Sequence, residues 1–146
     1  MVEPNDISLL IAVIGLHKSE VRGRTRIQKE MCILKHRDKV PIGFEFSSYY
    51  YGPYSTELTD ALDTLIAAGL LKQSTFRIDL DICRYDYSLT KQGKELFLSV
   101  LKMLKKHHPK LIKNLRASVS KLQKMTMPDI ISLAKLCSGM NSKPPL

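Results

Sequence analysis

Lysine and arginine side chains are grouped at two places in the sequence where their spacing could bind phosphate. One group surrounds the start of a predicted second helix: Arg22, Arg24, Arg26 and Lys29. The other falls on one face of a predicted C-terminal helix, at about 100° per residue, if this helix is continued back through a predicted break at 107–109: Lys106, Lys110, Lys113, Lys121 and Lys124. Basic side chains neutralise phosphates, and the free N–H groups at a helix start add to this. Both groups are candidate nucleic-acid contacts, with a solvated loop and a solvated helix face as the plain alternatives.

The distribution of charge favours the second group. The chain has 146 residues, a net charge of +9 and an isoelectric point near 9.5. Residues 1–100 contain 13 basic and 13 acidic side chains, whereas residues 101–146 contain ten basic side chains and one acidic one. Such a surface suits nucleic acid, an acidic protein or an anionic lipid. It has no large apolar anchor for a bilayer, so we expect duplex DNA first, a protein partner second and no membrane.

The predicted third helix has the opposite charge. Its leucines mark the inward face, which turns acidic and hydroxyl side chains outward, and carboxylates close to phosphates cost about 1 kcal/mol or more per pair. This helix is therefore a poor reader of DNA and is either a solvated face or a protein contact. The candidate contact residues are Tyr54, Thr56, Thr59, Asp60 and Asp63. The neighbouring tyrosines at 49–51 can stack on bases or pack a strand against a helix.

An apolar stripe lies opposite the C-terminal lysines. It consists of Leu111, Leu115, Val119 and Leu122. A stripe of this kind must be buried, either against the rest of the chain or against a second copy. We take it as a candidate dimerisation seam and expect a homodimer.

The sequence has none of the motifs that are typical of enzymes, metal-binding proteins or membrane proteins. We find no nucleophile elbow, phosphate loop or HExxH helix, so we expect no enzyme and no cofactor. Cys32 and His36 are four residues apart on a predicted helix, but without a third ligand we expect no metal. The three cysteines fit a reducing cytoplasm, and the longest apolar run, residues 7–16, is too short to cross a bilayer and follows acidic residues.

The hydrophobic pattern predicts a mainly α chain with a small antiparallel β wing, an α+β class. Residues 1–100 are expected to form a winged helix-turn-helix domain, and residues 101–146 a set of basic C-terminal helices. The predicted helix starts are Asn5 or Asp6, Ser55, Thr90 and Thr126, and the predicted ends include Gly69 and Gly139. A single strand is predicted over 44–51 and a hairpin over 70–89.

Three stretches add a resemblance over about residues 5–100. They are Gly23-Arg24-Thr25-Arg26-Ile27-Gln28-Lys29, Tyr51-Gly52-Pro53-Tyr54-Ser55 and Tyr87-Ser88-Leu89-Thr90-Lys91-Gln92-Gly93-Lys94. The first two together resemble the YwgA-like family of small winged-helix proteins and, more distantly, the SocA-type antitoxin (Panacea) domain. The resemblance implies a winged-helix fold. The more distant similarity to the SocA-type domain implies that the protein acts by binding other proteins. Our first hypothesis is a small DNA-binding protein of the transcriptional-regulator kind with mainly phosphate-driven contacts; the alternative is an antitoxin- or adaptor-like interaction module.

Overall fold

The computed structural model describes residues 4–142, which form six helices and five short strands. The prediction of a mainly helical chain with a small antiparallel sheet is confirmed. In chain order the elements are α1 (Asp6–Leu16), β1 (Val21–Arg22), α2 (Arg24–His36), β2 (Ser47–Tyr49), β3 (Gly52–Tyr54), α3 (Thr56–Ala67), β4 (Leu71–Asp79), β5 (Ile82–Leu89), α4 (Lys91–His107), α5 (Pro109–Leu122) and α6 (Met127–Ser138). No helix within residues 4–142 is both long and apolar enough to cross a bilayer.

Polar side chains start four of the helices as predicted. In each case the side-chain oxygen accepts a hydrogen bond from a backbone N–H three residues further on, which satisfies one of the free donors of the first turn. The pairs are Asn5 with Ser8 at 2.8 Å, Ser55 with Leu58 at 3.2 Å, Thr90 with Gly93 at 3.0 Å and Thr126 with Asp129 at 3.4 Å. At its C-terminus, α6 ends on Gly139, whose φ of +72° suits glycine.

The main sheet is antiparallel with the strand order β1-β5-β4. Strand β1 lies between α1 and α2 and pairs Val21 with Tyr87 on β5. The sequence pattern does not predict this strand, because two residues are too few to show alternation. The order of elements up to residue 89 is α1-β1-α2-β2-β3-α3-β4-β5.

Strand β4 is the open edge of this sheet. The hairpin turns at Leu80 and Asp81, and a bulge interrupts the pairing of β4 with β5 between Arg77 and Asp79. Four large apolar side chains near this turn are exposed: Phe76, Ile78, Leu80 and Ile82.

The prediction of one strand over 44–51 is wrong. Residues 44 and 46 are buried phenylalanines in an extended loop, and the pairing begins only at β2. Gly52 and Pro53, which follow the predicted strand, form β3 together with Tyr54 and pair with β2. Gly52 has a φ of +98°, and a Cβ there would lie 3.0 Å from Cγ of Lys135, so glycine serves both the tight turn and the close packing of α6.

One hydrophobic core includes buried residues from both sides of position 100. Helix α1 lies at its centre, with residues 9–14 all buried, and it contacts α4, α5 and β5. Helix α4 runs through residue 100, the predicted end of the first domain.

The prediction that the apolar stripe of α5 is a dimerisation seam is wrong, because the core of a single chain buries this stripe. Leu115, Val119 and Leu122 are fully buried inside a single chain, and Leu111 is half-buried against the same core. The stripe meets α1, α2 and α4, so it is already covered without a second copy. The expected homodimer stays a prediction, without this seam.

Candidate functional site

The three stretches that carry the resemblance meet around the first two turns of α2. Gln28 donates from Nε2 to the carbonyl oxygen of Ser55 at 2.8 Å and accepts from the Ser55 N–H at 2.8 Å. Lys29 donates from Nζ to the carbonyl oxygen of Pro53 at 2.7 Å. Arg24 donates from Nε to the hydroxyl of Tyr87 at 3.0 Å. These bonds attach the β2–β3 hairpin and the sheet to one helix.

A cavity of about 200 Å³ lies where these stretches meet, and we call it the tyrosine pocket. Its lining residues are Arg24, Thr25, Lys29, Tyr49, Tyr50, Tyr51 and Tyr54. The rings of Tyr49 and Tyr54 are stacked with their centroids 5.0 Å apart, and Tyr50 meets Tyr49 edge-on at 5.0 Å. Tyr50 is 54% exposed and Tyr51 61% exposed, so two of the four rings face solvent.

Arg24 forms one wall of this pocket. Its guanidinium carbon lies 4.7 Å from the centre of the Tyr85 ring, and its Nε is bonded to Tyr87. Within residues 4–142 its two terminal nitrogens form no hydrogen bond, which leaves their N–H donors available. Arg24 is therefore a phosphate candidate with a fixed orientation.

The prediction that Lys29 contacts nucleic acid from the surface is wrong. The residue is 2% exposed, and its ammonium lies at the floor of the tyrosine pocket. Burial, assisted by the charge of Lys135, lowers its pKa to about 8. A buried amine with a lowered pKa beside a cavity is the kind of group found at binding and catalytic sites.

The prediction for Arg26 is also wrong. Its side chain is 13% exposed and donates to the carbonyl oxygens of Leu122 at 3.1 Å and Met125 at 2.6 Å. It also pairs with Glu30 on the next turn of α2 at 3.3 Å. Arg26 uses its donors to hold the loop between α5 and α6, so they are not available to phosphate.

Glu30 is fully buried between Arg26 and His17. Nε2 of His17 lies 2.9 Å from Oε1 of Glu30, although the ring is not aligned for a hydrogen bond, and Nδ1 lies 2.8 Å from the carbonyl oxygen of Val13. Burial by itself would lower the pKa of His17, but the Glu30 carboxylate and the Val13 carbonyl outweigh it and raise the pKa above 6.5. The protonated imidazolium can donate from Nδ1 to the Val13 carbonyl and places its positive charge beside Glu30, so it suits this site better than the neutral ring.

This pair makes the stability of the protein depend on pH. Because the pKa of His17 is raised in the folded state, its stabilisation is complete below the unfolded pKa of 6.5 and is lost as the pH rises through the folded pKa. We expect the stability advantage of the wild type over His17→Asn to shrink as the pH rises above 6.5. Urea unfolding of both proteins at each pH measures it. The exposed His107, changed to Asn, is the matched control, and an advantage of His17 that is constant with pH would contradict the assignment.

The strongest positive surface is on α4, α5 and the following turn, and we call it the basic surface. Its members are exposed, and no ion pair within residues 4–142 includes any of them: Lys102, Lys105, Lys106, Lys110, Lys113, Arg116, Lys121 and Lys124. The predicted break is observed at His108, which has a φ of −139° and a ψ of +59°, so the five lysines do not continue along one helix. Lys106 therefore belongs to α4, and Lys124 follows the end of α5.

Arg22 is the exposed member of the N-terminal basic group and lies near one end of the basic surface. It lines a cleft of about 380 Å³ together with Arg84, Gln123 and Met127. Gln123 precedes Lys124 in the chain, so the structure brings Arg22 to the same end of the molecule as the last lysines. Arg84 is paired with the buried Asp86 at 2.8 Å, which reduces its contribution.

The candidate protein contact on α3 is only partly available. Thr56, Asp60 and Asp63 are exposed as predicted. Thr59 is half-buried, and its hydroxyl bonds to Tyr54 at 2.6 Å and to Gln28 at 3.1 Å. Tyr54 and Thr59 therefore brace the hairpin.

Cys32 and His36 do lie side by side, with Sγ 3.4 Å from Nδ1. Burial raises the pKa of the Cys32 thiol to about 12. Within residues 4–142 no group of three or more His, Cys, Asp or Glu side chains is arranged to hold a metal ion.

In comparisons with known proteins, no protein-family model and no curated protein matches this chain.

The site residues that sequence reasoning left out are Gln28, Glu30 and three members of the basic surface, Lys102, Lys105 and Arg116. The last three could have been found, because residues 101–125 contain no acidic side chain. Gln28 and Lys29 belong to the first of the three stretches that carry the resemblance. Nothing in the neighbouring sequence indicates that they contact Ser55 and Pro53.

Proposed function

We propose that the protein is a winged-helix nucleic-acid-binding protein that contacts duplex DNA mainly through phosphates. The observation that supports this is the basic surface, with eight exposed cations and no acidic neighbour between residues 101 and 125. Solubility alone does not need so one-sided a distribution, and each cation placed on a phosphate releases counterions.

The acidic α3 argues against sequence-specific reading by the usual helix. Glu57, Asp60 and Asp63 are exposed, and α3 contains no lysine or arginine. The proposed wing, which is the hairpin of β4 and β5, is also a weak candidate for contact with DNA, because Asp79 and Asp81 lie at its turn. Binding is therefore proposed to be sensitive to salt and only weakly dependent on sequence, with Arg22 and Arg24 as the remaining contacts from the N-terminal group.

Removing three lysines from the basic surface should weaken DNA binding and its salt dependence together. For Lys110→Gln with Lys113→Gln and Lys121→Gln, we expect the slope of log K against log salt to fall by roughly 2 to 3 if all three contact phosphates. Fluorescence anisotropy with a random-sequence duplex at several salt concentrations measures both quantities. The matched control removes three exposed lysines elsewhere, Lys72, Lys91 and Lys94, by the same change.

An equal loss in the two triple variants would show only a general effect of charge and would contradict the proposed surface. Absence of binding by the wild type at low salt would contradict the function itself. That second result would favour the other candidate, a protein-interaction module. The observation behind this candidate is that Asp60 and Asp63 are exposed on α3 and form no ion pair within residues 4–142.

A further inference from the structure

We propose that the tyrosine pocket binds one unpaired nucleotide, whose base stacks on Tyr50 or Tyr51 and whose phosphate is bound by Arg24. This inference rests on the proposed function, because it gives the basic surface a preference for nucleic acid with a single-stranded part. It adds an aromatic site that the lysines of α4 and α5 do not supply.

The exposure of the tyrosines is the first argument. Tyr49 and Tyr54 stack on each other and explain the packing of the hairpin, but Tyr50 and Tyr51 stand in its turn with more than half of their surface in solvent. Adjacent exposed aromatic rings beside basic groups are the usual platform for unpaired bases, because every base offers a flat face.

The charge inside the pocket is the second argument. The lining contains two cations, Arg24 and Lys29, and no acidic side chain. The free terminal nitrogens of Arg24 form a planar fork that matches two oxygens of a phosphate. Asp63 on α3 acts on Arg24 through its charge but forms no ion pair with it. The pocket therefore favours an anionic group such as a phosphate beside its aromatic rings.

The size and rigidity of the pocket are the third argument. About 200 Å³ can hold one aromatic ring but not a base pair. The hairpin is fixed to α2 by the bonds of Gln28 to Ser55 and of Lys29 to Pro53, so little order has to be gained when a ligand binds.

The pocket and the basic surface are connected through α2. Arg24 and Thr25 of its first turn line the pocket, while Arg26 of the same turn holds the loop that contains Lys124. Because residues two apart on a helix point to different sides, the pocket is a contact separate from that loop.

The absence of tryptophan provides a direct assay. Four of the six tyrosines line the pocket, so tyrosine fluorescence reports on it. We expect thymidine monophosphate to quench this fluorescence in the wild type and not in the double variant Tyr50→Ala, Tyr51→Ala. We also expect the double variant to bind a duplex with a short thymidine overhang roughly 5- to 150-fold more weakly, the effect of one lost stacking contact, and to bind the blunt duplex as the wild type does.

Three variants serve as controls. Phe76→Ala removes an exposed ring on the wing and should change neither affinity. Tyr50→Phe and Tyr51→Phe keep a stacking face and should retain the preference for the overhang. Each protein is checked for its thermal midpoint first, and since both tyrosines are exposed we expect it to be unchanged.

The two proposals can fail separately. A wild type that binds blunt and overhang duplexes equally through the lysines, without quenching by the mononucleotide, would overturn the pocket and leave the proposed function intact. Quenching that the tyrosine variant abolishes, in a protein that does not bind duplex at low salt, would support the pocket and overturn the proposed function.

Discussion

Replacing Arg26 with methionine is expected to lower the free energy of unfolding by about 3–5 kcal/mol. The change leaves Glu30 fully buried with His17 as its remaining charged neighbour, and it leaves the carbonyl oxygens of Leu122 and Met125 without their donor. A buried carboxylate that loses a partner costs several kcal/mol, and each orphaned carbonyl adds to this.

Urea unfolding of Arg26→Met against the wild type measures the effect. The matched control is Arg22→Met, which removes the same type of side chain from an exposed position and should cost less than about 0.5 kcal/mol. We expect Arg26→Lys to recover only part of the loss, because one ammonium cannot contact two carbonyls and a carboxylate with the geometry of a guanidinium. A cost for Arg26→Met as small as that of the control would contradict the structural role and return Arg26 to the phosphate candidates.

Leu115→Ala is expected to cost about 2–5 kcal/mol, independent of protein concentration. Leu115 is fully buried in the core of a single chain, so the truncation removes packing within one molecule. Leu111→Ala, on the same helix but half-buried, should cost clearly less.

Thermal unfolding of both variants at two protein concentrations tests this. A thermal midpoint that rises with protein concentration in the wild type but not in Leu115→Ala would contradict this result. It would show that Leu115 contributes to a contact between two copies of the chain. A cost for Leu111→Ala equal to that for Leu115→Ala would also contradict the observed burial.

The helices of this fold could be predicted because their signals are local. Ser55, Thr90 and Thr126 each precede an apolar stripe, and their capping partner is three residues away in the chain. The strands could not be predicted in detail: β1 has two residues, and β2 and β3 have three each. Strands of this length are defined by the partner that they meet across the sheet.

The candidate site could be predicted only where side chains remain in solvent. The lysines of α5 are exposed because the apolar face of their own helix is buried, and periodicity shows this. Arg26 and Lys29 had the same appearance in the sequence, but their partners are 96 and 24 residues away along the chain. Burial of a charge through such distant carbonyls has no local signal.

The bulge between Arg77 and Asp79 has a consequence for the behaviour of the protein in concentrated solution. The extra residue is Ile78, because Arg77 pairs with Cys83 and Asp79 with Ile82. Without it, β4 would be regularly paired up to the turn beside the exposed ring of Phe76, and a regular exposed edge is the arrangement from which ordered aggregates grow by adding strands. A bulge twists such an edge and breaks its regular spacing of donors and acceptors, so we expect the extra residue to reduce the tendency of this hairpin to add strands.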